Sequence, residues 1–198
     1  MIHCMADCET FGTRPGCAIR SIGAVMFDLN GALGATFYAN VTRAGQESLG
    51  LHVDPQTEKW WSEQSAEARA ALEPDQIVLP QALTGFFRWF ADQRAEKIWS
   101  HGATFDIPII EAAAHAVKLR APWKFWNARD TRTLYDVCDF DVREMQRNDA
   151  SHHTALGDAK FQVACVAAAL QKLSRKYSAE PRASVKFDSL VTPKGFFD

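Results

Sequence analysis

The sequence predicts an α/β fold built on a mixed five-stranded sheet with helices on both faces, and three features predict it. Two strand-like runs are joined by a short Leu29-Asn30-Gly31 connection, which favours an antiparallel hairpin near the start of the chain. Helical patterns then alternate with apolar strand-like runs, so the later strands are joined through helical crossovers. A length of 198 residues suits one core, and 47% hydrophobic against 23% charged residues is too apolar a balance for a disordered chain.

Residues 2–9 form the first expected strand, which loses its apolar character at its C-terminal end. The loop after it carries Gly12, Pro15 and Gly16, which is turn chemistry. Residues 19–28 and 32–41 are the second and third strands. From Asp54 the pattern turns helical: Asp54 suits the N-cap, Pro55 the first helical position, and Trp60, Trp61 and Gln64 follow. Pro80 opens a second helix with Leu83, Phe86, Phe87 and Phe90 at helical spacing. Residues 97–101 are a fourth strand, 106–118 a helix, and 126–131 a fifth, buried strand. Ser151, His152 and His153 precede a long Ala-rich helix over 154–175, with Leu156, Val163, Val166 and Leu170 on its apolar side. Residues 1–176 read as one domain. Residues 177–198, with Pro181 and Pro193, read as a C-terminal extension, either a mobile tail or a segment that docks Phe187, Phe196 and Phe197 on the body or on a second subunit.

Several classes of protein are excluded. No apolar run approaches the roughly 20 residues that span a bilayer. The N-terminus carries carboxylates at Asp7 and Glu9, where a signal peptide needs basic and then apolar residues, so the chain reads as cytoplasmic with no membrane partner. Cys4, Cys8, Cys17, Cys138 and Cys165 form no CxxC pair and no zinc-site spacing, and an odd, scattered set fits reduced thiols. The net charge of −2 argues against tight non-specific duplex binding. It leaves room for a catalyst whose bound cations bring positive charge of their own.

Alternation along a strand puts Asp7 and Glu9 on one face of the first strand, with Ala6 and Cys8 on the other. Two carboxylates so placed repel unless cations neutralise them, and such oxygen-rich pairs suit Mg²⁺ or Mn²⁺. A D-x-E triplet also occurs at solvated strand ends. Asp106 follows the fourth strand, where an acid also serves as a helix cap or first-turn residue. His153 and Asp158 bracket the start of the last helix, where a His is also common as a surface residue. The combination carries the argument. In an open α/β sheet, a strand end, a strand-to-helix junction and a loop-to-helix junction converge beside the central strands. Four acids and one His meeting there supply a carboxylate cluster for paired ions and a group that deprotonates water.

These motifs resemble those of the DEDD exonucleases of the ribonuclease H-like fold, in the subgroup with a catalytic His. The first is D-x-E-T-x-G at Asp7 to Gly12, the second the Phe-Asp ending of His101 to Asp106, and the third H-x-A-L-x-D-A at His153 to Ala159. All three stand in order, and the resemblance runs from Met1 to about residue 175. The Tyr-dependent subgroup has Tyr four residues before the last acid, which is Thr154 here, whereas His153 fits the His-dependent spacing. Residues 54–65 (DPQTEKWWSEQS) are similar to a segment of one bacterial and phage branch with exoribonuclease-type and exodeoxyribonuclease VIII-type members. Many relatives have Asn after the His of the second motif; this chain has Gly102.

The resemblance implies that Asp7, Glu9, Asp106 and Asp158 hold two Mg²⁺ or Mn²⁺ ions, with His153 as the base that takes a proton from water. It implies 3′–5′ hydrolysis of single-stranded RNA or DNA to nucleoside 5′-monophosphates, and a homodimer. Thr10, Phe11, Gly12 and His101 are expected at the substrate. Trp61 and Gln64, three residues apart, are expected to share a helix face toward the cleft while Trp60 packs inward; the alternative is that both tryptophans are core. Two further readings use the same residues: an endonuclease of the same fold, and a catalytically silent nucleic-acid-binding module.

Overall fold

The computed structural model describes residues 1–146 and 154–179. His153 and residues 180–198 of the expected extension lie outside the described residues; residues 177–179 continue the last helix. Five strands form one sheet: β1 (His3–Thr10), β2 (Ile19–Phe27), β3 (Leu33–Asn40), β4 (Lys97–Ser100) and β5 (Ala128–Asp130). Their order across the sheet is β3-β2-β1-β4-β5. Strand β1 pairs antiparallel with β2 and parallel with β4, so the sheet is mixed and β1 is its centre. The β2–β3 turn is tightened by the Asp28 carboxylate, which accepts from the Asn30 and Ala32 amides at 2.9 and 3.0 Å.

Side chains of β1 alternate between two cores. Cys4, Ala6 and Cys8 enter a cluster with Ile22, Ala24, Phe86, Phe90 and Ile110, while Met5 joins Val25, Phe27, Tyr135, Val163 and Val166 on the opposite face. The first cluster is covered by α3 (Leu79–Asp92) and α4 (Asp106–Ala116), and the second by α5 (Thr131–Val137) and α6 (Ala155–Ala179). Leu83, Phe86, Phe87 and Phe90 of α3 are all buried, as their helical spacing predicts. Burying each such side chain stabilises the fold by about 1.5–3 kcal/mol. Asp7 and Glu9 continue the row of Met5 beyond the end of the second core, on the face that α6 covers.

Three sequence expectations need correction. The fifth strand is not buried: β5 is three residues long, follows a 3₁₀ turn at Phe125–Asn127, and pairs only with β4 among the described residues. Phe125 and Trp126 are 82% and 58% exposed. Aromatic composition marks a strand core and an exposed platform alike, and here the platform is what forms. Two helices were not expected, α2 (Ala66–Ala70), capped by the Ser65 side chain, and α5, capped by Asp130. The first helix, α1 (Pro55–Ser62), starts where expected, with Asp54 accepting from the Gln56 amide at 2.9 Å. It stops two residues short of Gln64.

The five cysteines are buried thiols in no disulfide, so they pack as small apolar residues. No helix among the described residues is long and apolar enough to cross a membrane.

Candidate active site

Three chain segments meet at the C-terminal end of β1. The strand supplies Asp7 and Glu9, α4 enters from one face of the sheet with Asp106 as its first residue, and α6 enters from the other with Asp158 in its first turn. Asp7, Glu9 and Asp158 each bring an oxygen to within 4.8 Å of the others, which is the spacing of ligands around one cation. Asp106 is held differently. It is only 2% exposed, and its Oδ1 accepts from the Cys8 amide at 3.1 Å and the Cys8 thiol at 3.5 Å. All four acids line one cavity of about 340 Å³, with His101, Gly102, Thr104, Phe105 and Arg132.

The electrostatics of this cluster are adverse without a counter-charge. Burial, and then the carboxylates of Asp106, Glu9 and Asp158, push the Asp7 carboxyl well above its ordinary range. A hydrogen bond from the Gln162 amide to Asp7 Oδ1, at 2.7 Å, works in the other direction. Burial raises the Asp106 carboxyl to about 6 against the bonds from Cys8. Hard oxygen donors, crowded and mutually repelling, fit a small divalent cation, and among the described residues the set holds carboxylate oxygens alone.

The substrate-side residues divide. His101 lines the cavity, and its Nδ1 lies 2.8 Å from the Thr131 hydroxyl. Burial, reinforced by Arg132, lowers its pKa. Thr10 and Gly12 line a second, largely apolar cavity of about 420 Å³ that shares Cys8, Glu9 and Phe105 with the first. The Thr10 hydroxyl itself donates to the Gly12 carbonyl at 2.6 Å, closing the turn after β1. Phe11 packs its ring against the core beneath the Arg20 guanidinium, 4.9 Å from the ring centroid, and is not part of either cavity wall.

The expectation for the tryptophans holds in part: both rings line the second cavity, but Trp60 does not pack inward. Trp61 is 3% exposed, its indole N–H donates to the Thr10 carbonyl at 2.9 Å, and Arg20 covers its ring at 4.6 Å. Trp60 is 44% exposed and stands edge-on to Trp61 at the rim of the second cavity. The indole donor decides this: burying Trp61 is favourable because a strand-end carbonyl waits for its N–H. Gln64 lies past the helix end, so helical spacing no longer places it beside Trp61. Its amide donates to the Trp60 carbonyl at 2.9 Å, and it lines neither cavity.

Residues not singled out from the sequence also build the site. Arg132 lines the acidic cavity and a groove of about 770 Å³ that continues from it past His101. The run Asp130-Thr131-Arg132 was the available signal, hidden by reading Thr131 as strand. Asp130 caps α5 and also accepts from the Gly102 amide at 3.0 Å, tying the β4–α4 loop to α5. Gly102 has φ +122°, a conformation Asn rarely adopts, which accounts for glycine at this position. Gln162, one helical turn after Asp158, had no sequence signal; it became visible only once α6 was seated on the sheet.

The chain is similar to known exonucleases. Residues 2–170 match the family described as 3′–5′ exoribonuclease Rv2179c-like domain. The exodeoxyribonuclease of Enterobacteria phage T4 is 28% identical over 166 residues, covering 69% of this chain and 72% of the phage protein. The solved structure of exonuclease X in complex with 5′ overhanging duplex DNA aligns with a TM-score of 0.57 over 87% of this chain and 93% of that one. At 16% identity this is a likeness of fold, and it makes the sheet ribonuclease H-like. The chain therefore belongs to the Rv2179c-like 3′–5′ exoribonuclease domain family and is a 3′–5′ exonuclease of the DEDD type.

Proposed function

We propose that the protein removes nucleoside 5′-monophosphates from the 3′ end of single-stranded nucleic acid, with Asp7, Glu9, Asp106 and Asp158 holding two Mg²⁺ or Mn²⁺ ions. The observation that carries this reading is the convergence of Asp7, Glu9 and Asp158 oxygens within 4.8 Å of one another inside a cavity that Asp106 also lines. Bound divalent cations supply Lewis acidity, which eases deprotonation of water and neutralises charge developing on the scissile phosphate. Gln162 fixes the rotamer of Asp7, and the Cys8 amide fixes that of Asp106. His153, five residues before Asp158, takes the proton from the attacking water. Arg132 faces the strand's phosphates from the cavity wall, and the apolar cavity beside Glu9 receives the terminal nucleoside.

A 5′-labelled single strand tests the reading. Stepwise shortening from the 3′ end is expected with Mg²⁺ or Mn²⁺ and none with EDTA, while a circular single strand stays intact. Cleavage of the circle would make the protein an endonuclease, and metal-independent shortening would remove the carboxylates from the mechanism. Running matched RNA and DNA strands in parallel assigns the sugar. The family is named for exoribonuclease activity and the phage relative for exodeoxyribonuclease activity, so the two rates are the informative comparison.

Trp60 offers a separate check on the substrate's position. Its exposed ring borders the apolar cavity, where a base stacks on it. Trp60→Ala is expected to raise KM for a short oligonucleotide about tenfold, in keeping with about 1–3 kcal/mol per stacked base, with kcat changed much less. An unchanged KM would place the terminal base elsewhere.

A further inference from the structure

The 3₁₀ turn before β5 exposes two large aromatic side chains side by side, which a folded chain rarely leaves in water without use. Phe125 and Trp126 are packed edge to face, 4.8 Å between centroids, and the Lys124 ammonium lies 5.3 Å from the Trp126 ring. The charge around them is one-sided. Residues 112–129 contain Lys118, Arg120, Lys124, Arg129 and His115 and no Asp or Glu, in a chain whose net charge is −2. The acids that bound this stretch are engaged within the protein. Glu111 accepts from the Trp123 indole at 2.7 Å, and Asp130 accepts from the Gly102, Arg132 and Thr133 amides.

The position matters as much as the composition. His101, Gly102, Thr104 and Phe105 of the β4–α4 loop line the acidic cavity, whereas Ala103 of the same loop lines a cavity of about 220 Å³ with Phe125, Arg129 and Asp130. One loop therefore separates the carboxylates from the aromatic pair.

We infer that Phe125 and Trp126, with Lys124, form a second nucleic-acid-binding surface on which bases of the strand upstream of the cleaved end stack. The direction of the strand rests on the exonuclease reading; the surface itself does not. Exposed aromatic faces interleaved with cations are what sequence-tolerant single-strand binding uses, each ring taking a base and each ammonium a phosphate. A second copy of the chain is the less favourable occupant. A twofold contact centred on the rings would bring the cationic stretches of both copies together, and two rings fall far short of the roughly 800 Å² per partner of a stable interface.

The test is fluorescence anisotropy with a 5′-fluorescein-labelled single strand of about ten nucleotides, in EDTA so that no hydrolysis occurs. Replacing both rings (Phe125→Ala with Trp126→Ala) is expected to weaken Kd about tenfold or more, while Trp126→Phe, which keeps an aromatic face, changes it less than about twofold. Lys124→Glu alters an exposed side chain and carries the test should the double variant fold poorly. It should weaken binding and flatten the salt dependence by a slope of about one. Unchanged Kd in both variants overturns the proposal. So does unchanged Kd accompanied by a dimer-to-monomer change in sedimentation, which would make the surface an interface between copies. A wild-type protein that hydrolyses 3′ ends while the variants bind normally loses the platform and keeps the exonuclease. One that binds through these rings but never hydrolyses with Mg²⁺ or Mn²⁺ keeps the platform and loses the proposed reaction.

Discussion

Asp7→Asn is expected to abolish 3′-end hydrolysis, lowering kcat by about a thousandfold or more, and at the same time to raise the melting temperature of the metal-free protein. The two effects have one cause. Asp7 is a carboxylate pushed toward its neutral form by burial and by three neighbouring acids, so the metal-free protein holds it at a cost. Asn is nearly isosteric, and its carbonyl still accepts from the Gln162 amide that now bonds Asp7 at 2.7 Å. The substitution removes repulsion without removing packing. It also removes an anionic ligand from the cluster, and losing several kcal/mol of transition-state stabilisation accounts for a rate loss of this size. Adding Mn²⁺ should raise the melting temperature of the wild type well above that of the metal-free form, since a ligand that binds only the folded state stabilises it; Asp7→Asn should respond far less. Differential scanning fluorimetry with and without Mn²⁺, beside the labelled-strand assay, measures both. A variant that retains wild-type turnover, or that melts lower than wild type in EDTA, contradicts this account of the cluster.

The Asp7/Glu9 pair was legible in the sequence because it follows from a period of two. Once residues 2–9 are a strand, the two acids must share a face, and they do. Asp54 and Pro55 announced the start of α1 for an equally local reason, a side chain capping the backbone two residues on. The facing of Trp60 and Trp61 was not local. Either ring satisfies the helix, and the choice is made by the Thr10 carbonyl, 51 residues away in sequence. The fifth strand misled for a related reason. Trp126 was expected to open a buried strand, but it lies in the 3₁₀ turn before the edge strand β5 and stays in solvent. The convergence of Asp158 with Asp7 is expected from the sequence only through the general tendency of strand ends and helix starts to meet in an open α/β sheet. What brings them together is the seat of α6 on β2, which no pattern within either segment encodes.

That seat makes Gly23→Ala the second large expected effect. Gly23 lies opposite Asp7 in the β1–β2 register, between Ile22 and Ala24, both fully buried. A Cβ there would lie 2.2 Å from the Leu156 nitrogen, 2.3 Å from the Ala155 carbonyl carbon and 2.6 Å from the Leu156 Cα. These are backbone atoms in the first turn of α6, so no side chain can swing aside, and the helix must lift from the strand by more than an ångström. Overpacking of this kind costs about 1–3 kcal/mol, or about 2–4 °C of melting temperature for each kcal/mol in a chain of this size. Asp158 rides on the same turn, and a displacement of about 1 Å in a group that must meet others is enough to cost about a hundredfold in rate. Gly85→Ala in α3 is the matched control. Its Cβ would meet only the Phe37 ring at 3.6 and 3.8 Å, an ordinary contact, and a helix interior gains about 1 kcal/mol from Ala over Gly. The two substitutions add the same methyl group and should move the melting temperature in opposite directions, with activity lost only in Gly23→Ala. If Gly23→Ala melts lower yet keeps its turnover well below the melting point, α6 positions Asp158 by some other contact. If neither property changes, the helix does not rest on this strand. On the expected outcome a residue with no side chain is part of the active site, because its bareness sets how closely two carboxylates approach.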